Sequence, residues 1–117
     1  GLDSCSRLSL PQVGELSRRV GIPIYLVWIH DAAPVEPEPD QILLHHLVRH
    51  SGGEVFSIGR DRDIERAYGR IADDLLAQYL LSYSPDQPER EGWREISVRI
   101  ERPRVRARTV SGYWAHP

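Results

Sequence analysis

A chain of 117 residues, 40% hydrophobic and 27% charged, suits one soluble-type domain with a real core rather than a disordered segment. The net charge of −2 gives no general attraction to nucleic acid or to an anionic membrane. A single cysteine, Cys5, excludes an internal disulfide framework and a cysteine-built metal cluster, and no apolar run is long enough to span a bilayer.

Residues 1 to 10 are polar and loop-like. Ser9 stands as a helix cap with Pro11 in the first turn, and Val13, Leu16 and Val20 follow at helical spacing before the stop at Gly21. The run Ile22 to Ile29 is continuously apolar, which predicts a strand buried on both faces of a parallel sheet. Pro34, Pro37 and Pro39 among acidic residues predict a stiff exposed loop over Asp31 to Pro39. A helix from Asp40 to about Ser51 carries Leu43, Leu44, Leu47 and Val48, and Gly52-Gly53 ends it. Glu54 to Ile58 reads as a second strand. Asp61 or Asp63 then caps a helix whose stripe is Ile64, Ala67, Tyr68, Ile71, Leu75 and Leu76.

The alternation of helix and strand over residues 1–77 is the pattern of a doubly wound sheet with right-handed crossovers. From Gln78 the period changes to two. Gln78 to Pro85 reads as an aromatic strand, Trp93 to Ile100 as its antiparallel return, and Val105 to Thr109 as a short basic strand. Residues 78–117 are thus an antiparallel β extension packed on or beside the α/β part.

Three groups of residues offer chemistry. His45, His46 and His50 include an i, i+4 pair, the spacing that sets two imidazoles on one helix face for a metal. With no third ligand of the right type in reach, the bland reading, a solvated helix face, is preferred. His30-Asp31 falls at the end of the predicted buried strand, where ligand sites of open α/β sheets gather. Ser6, Ser9 and His116 are also available, yet none lies in a nucleophile motif such as G-x-S-x-G. Gly52-Gly53 and Gly59 make no phosphate-binding loop. Arg99, Arg102, Arg104, Arg106 and Arg108, beside Trp93, Tyr113 and Trp114, could serve single-stranded nucleic acid. Alternation with Val105 and Ala107 makes them instead a solvated strand face, neutralised by Glu89, Glu91, Glu95 and Glu101.

The runs Gln78-Tyr-Leu-Leu-Ser-Tyr-Ser-Pro85 and Trp93-Arg-Glu-Ile-Ser-Val-Arg-Ile100, with the closing Gly112-Tyr113-Trp114, resemble the C-terminal half of bacterial proteins related to the von Willebrand factor type A domain. The resemblance covers nearly the whole chain, since Gly1 to Arg7 is similar to the segment just after that family's Asp-Gly metal loop. It implies a partial doubly wound α/β sheet, a non-enzymatic protein-binding or adhesion role, and an extracellular or periplasmic setting. The family's Mg²⁺ site uses an Asp-x-Ser-x-Ser loop, which Asp3-x-Cys5 is not. Asp3, Ser4 and Ser6 are at most the rim of an incomplete site, so no cofactor is expected in this stretch itself. Mg²⁺ belongs to the full domain.

On this reading the chain begins inside a larger polypeptide, and the strand that would lie beside Ile22–Ile29 precedes Gly1. An open sheet edge is then available for self-association. The rival expectation is a piece of a Rossmann-like enzyme or nucleotide binder whose catalytic motif lies upstream.

Overall fold

The computed structural model describes residues 6–30, 39–59 and 62–116, with Arg62 placed by its backbone alone. The element order is α1 (Leu10–Val20), β1 (Leu26–Ile29), α2 (Pro39–His50), β2 (Val55–Ile58), α3 (Arg62–Leu76), β3 (Gly92–Glu95) and β4 (Gly112–Ala115). β1 and β2 form a parallel pair, and β3 and β4 a separate antiparallel pair. The described residues therefore form a mixed α/β fold with two small sheets. The expected doubly wound sheet is reduced, among the described residues, to one parallel pair.

α1 begins where the sequence places it. Gln12 Oε1 accepts a 2.8 Å hydrogen bond from the Ser9 N–H, and Pro11 occupies the first turn. Gly21 ends the helix in the left-handed region at φ 69°, which a Cβ-free residue adopts without strain. The buried Ser17 hydroxyl then donates to the Ile22 carbonyl at 2.6 Å, and the Ile22 N–H returns a bond to the Ser17 carbonyl.

Those bonds explain why the apolar run yields only four strand residues. The Ile22 N–H is used by the helix end, Pro23 has no N–H, and the Ile24 N–H donates to Ser51 Oγ at 2.9 Å. The ladder starts at Leu26, whose N–H reaches the Glu54 carbonyl, and runs from Leu26↔Val55 to Ile29↔Ile58. Burial on both faces does not hold. Tyr25 and Val27 pack with Phe56, Ile58, Ala67, Ile64 and Ile71 against α3, whereas Ile22 and Ile29 are exposed.

Ser51 is a buried junction: its hydroxyl donates to the Val48 carbonyl while accepting from the Ile24 N–H. Beside it Gly53 lies so close to Ile24 that any Cβ would overlap the Ile24 carbonyl. The glycines after α2 thus end the helix and also let two backbones touch.

The C-terminal part departs most from expectation. Residues 78–84 form no strand, and neither do 105–109; β3 stops at Glu95, so Ile96, Val98 and Ile100 do not share a continuous ladder. The cause is a competing dock. The Ser111 carbonyl still accepts from the Ile96 N–H, but the Ser111 N–H donates to the His50 carbonyl, and Thr109 lies against Gly52. The returning chain leaves β3 after one further bond and crosses to the end of α2. In the α3 stripe Ala67 is buried, while Tyr68, Leu75 and Leu76 face solvent.

The core is small. Val48 is the largest side chain fully removed from solvent, and the radius of gyration is 16.6 Å, against about 13–14 Å for a compact domain of this length. Much apolar surface stays outside.

Candidate functional site

Three neighbourhoods bring chemically capable side chains together. The first is the C-terminal end of the parallel pair. His30 follows β1, and its N–H continues the ladder to the Ile58 carbonyl. Its Nε2 lies 2.6 Å from Ser57 Oγ on β2. Residues 28 and 57 are register partners, so His30 and Ser57 stand on the sheet face opposite Phe56 and Ile58. His30 Nδ1 is buried without a hydrogen-bond partner among the described residues. Sequence reasoning singled out His30 but missed Ser57, because only strand register places a serine beside it. Asp31 lies outside the described residues.

The second is the histidine helix. His46 and His50 stack with ring centroids 6.1 Å apart, as an i, i+4 pair should. His50 is not merely surface, for its Nδ1 is 2.8 Å from Ser111 Oγ, reinforcing the backbone bond between the same residues. His45 and His46 line an open hollow of about 270 Å³ with Gln41, Ile42 and Arg49. Among the described residues no three His, Cys, Asp or Glu side chains converge as metal ligands. Asp3 and Ser4 lie outside the described residues, and Ser6 is exposed.

The third is an aromatic and apolar surface in the last third of the chain. Trp93 and Trp114 are register partners across β3 and β4, and both are exposed. The Trp93 ring lies over Gly112, where a Cβ would come within 2.6 Å of Cζ2. On the opposite face Arg94 pairs in register with Tyr113, and Tyr83 donates a 3.0 Å hydrogen bond to the Tyr113 hydroxyl. Arg94 bridges the carbonyls of Gln87 and Arg90, closing the turn that leads into β3. Between Tyr83 and Glu95 this leaves a cleft of about 570 Å³ lined also by Pro85, Arg90 and Trp93.

Tyr83 ends a longer exposed tract. Leu76, Tyr79, Leu80 and Leu81 are 86%, 90%, 96% and 71% exposed. From Leu75 to Pro85 no residue is charged. Gln78 to Ser82 make no hydrogen bond to any described residue. An uncharged stretch this exposed is uncommon on a chain that stays alone, and such surfaces mark interaction sites.

The arginine run divides by use. Arg108 pairs with Glu54 and with Asp74, not with the glutamates of the extension; Glu54 also takes Arg70 at 3.2 Å. Asp74 in turn accepts from Tyr25. This network joins residue 108 to β2, α3 and the entry to β1, so Arg108 is a docking residue rather than part of a nucleic-acid face. Arg70 lies over the Phe56 ring at 5.1 Å. Arg99, Arg102, Arg104 and Arg106 are exposed.

No protein-family model, curated protein or solved structure matches the chain.

Proposed function

We propose that the chain is a non-enzymatic protein-binding domain, an adhesion module of the von Willebrand factor A type acting outside the cell or in the periplasm. The observation that carries the binding role is the uncharged, exposed tract from Leu76 to Tyr83, joined by the Tyr83–Tyr113 hydrogen bond to one face of the β3–β4 ribbon, whose other face carries two exposed tryptophans. Tyrosine and tryptophan are enriched among the residues that dominate binding at protein interfaces, because they bury large rigid area at low entropic cost. The type A assignment rests on the quoted sequence runs, and the α-β-α-β-α order of residues 10–76 accords with it.

The test is peptide display against the immobilised chain, with counter-selection on Tyr79→Ser/Leu80→Ser. Both residues are exposed, so the fold is expected to survive the change. Saturable binding of a selected peptide that the double variant loses supports the reading; peptides that bind both proteins equally, or none at all, overturn it.

A catalytic reading has one specific observation behind it, the short contact of His30 Nε2 with Ser57 Oγ beside an unpartnered Nδ1. A base that close could accept the hydroxyl proton during attack on an acyl carbon. A fluorophosphonate probe decides it: labelling of Ser57 that His30→Gln abolishes moves the chain to the enzyme class.

A further inference from the structure

We infer that the occupant of the Gln78–Tyr83 tract is the same tract of a second copy of this chain, paired antiparallel about a twofold axis at Leu81. The inference rests on the tract being a binding surface, as proposed above, and names its partner.

The tract is strand-length. Its six residues span about 20 Å when extended, the usual length of a strand. Extended, the tract has two unlike faces, one wholly apolar and aromatic and the other mixed, with Leu80 between Gln78 and Ser82. Tyr79, Leu81 and Tyr83 fall on one side, and Gln78, Leu80 and Ser82 on the other. The backbone N–H and C=O groups of Gln78 to Ser82 are unused by the described residues and so available for a ladder.

Charge and register both allow a second copy as the occupant. Self-pairing sets each residue near its own kind, which is unfavourable for any charged segment but costs nothing across the uncharged Leu75–Pro85. An antiparallel pair places opposed residues on the same face, so only registers whose opposed numbers share parity keep the apolar faces together. With Leu81 on the axis, Tyr79 opposes the partner copy's equivalent of Tyr83, and all six residues of the apolar face form one stripe. A one-residue slip would set tyrosine against serine and split that stripe.

The contact is small. Tyr79, Leu81 and Tyr83 at the observed exposures present about 500–600 Å² per copy, of which cross-strand packing covers the facing flanks. A weak, concentration-dependent dimer is the expected result, since a lone two-stranded pairing is marginal in water.

Sedimentation velocity over a hundredfold range of concentration tests this on the chain as it stands. Wild type is expected to shift from monomer to dimer. Leu81→Lys, which puts two ammonium groups at the axis, is expected to weaken the dimer at least tenfold. Leu81 is exposed in its own molecule, so an unchanged circular dichroism spectrum should accompany the loss. In a Cys5→Ser background, Leu81→Cys is expected to form a disulfide-linked dimer under mild oxidation, and Leu80→Cys to do so far less. A wild type that stays monomeric, a dimer indifferent to Leu81→Lys, or equal crosslinking at both positions overturns the inference. If the monomer still binds a displayed peptide through this tract, the protein-binding reading stands while the second copy is excluded as its occupant. If it binds neither, both fail.

Discussion

Tyr25 and Asp74 are joined by a 2.9 Å hydrogen bond from the phenol to Oδ2, across 49 positions of sequence. The same oxygen receives Arg108, so one carboxylate holds the entry to β1, the end of α3 and the C-terminal segment together. Side chains at this junction are about one-third exposed, which reduces the value of each ion pair but leaves the phenol bond sheltered.

Breaking that junction should loosen the C-terminal segment before the core. Arg108→Ala is expected to cost about 1–2 kcal/mol in urea unfolding, within the range of charge-assisted hydrogen bonds at a partly exposed site. Native-state hydrogen exchange should show the Ser111 and Ile96 amides opening at lower free energy, while the Leu26 and His30 amides change little. Equal loss across all four would mean that the segment and the parallel pair unfold as one unit.

Glycine replacements should separate close approach from mere flexibility. Gly53→Ala drives a methyl into the Ile24 carbonyl, a backbone atom that cannot move aside, so a loss of about 3 kcal/mol or more is expected. Gly69→Ala, in the middle of α3 with open space around it, should instead stabilise by up to about 1 kcal/mol. Thermal melts of the two variants give the contrast directly. A tolerated Gly53→Ala would mean that the Ile24 contact is not formed.

The two ends of the chain differ in how far their sequence speaks for them. Ser9, Pro11 and Gly21 bound α1 because capping is local chemistry, decided within four residues. A parallel arrangement was legible in the alternation of helix and strand, but the direct pairing of residues 26–29 with 55–58 was not, since the neighbour of the first strand was expected upstream. The shortness of β1 did not, because it depends on Ser51 and Ser17 taking backbone groups that a ladder would otherwise use. The strands expected at 78–84 and 105–109 have the right period but no strand to pair with among the described residues. Period two records which faces a segment has, and says nothing about whether another strand reaches it. Ser57 is invisible for a related reason: a serine inside an apolar strand gains meaning only once register sets it beside His30.

The histidines of α2 should part company. His46→Gln is expected to leave stability within about 0.5 kcal/mol, as surface substitutions do. His50→Ala removes the contact to Ser111 Oγ and should cost about 1 kcal/mol. A double-mutant cycle with Ser111→Ala isolates the pair, and a coupling indistinguishable from zero would return His50 to the solvated face that its spacing alone suggests.

Tyr83 supplies the test of pH dependence. Its hydroxyl donates to Tyr113, and that bond is the main cause raising its pKa above a phenol's ordinary value, with desolvation and the neighbouring Tyr113 charge adding to it and Arg94 opposing. A folded value above the unfolded one means that the native state holds the proton more tightly. The resulting stabilisation is fully present below about pH 10 and is lost as pH rises through the folded value. Absorbance titration near 295 nm should therefore show one tyrosine ionising late. Tyr113→Phe removes the acceptor, so the late component should move down toward a phenol's ordinary value, and the alkaline loss of stability should become shallower. An unchanged titration in that variant would mean that the two hydroxyls are not bonded in solution, and would detach the exposed tract from the β3–β4 ribbon.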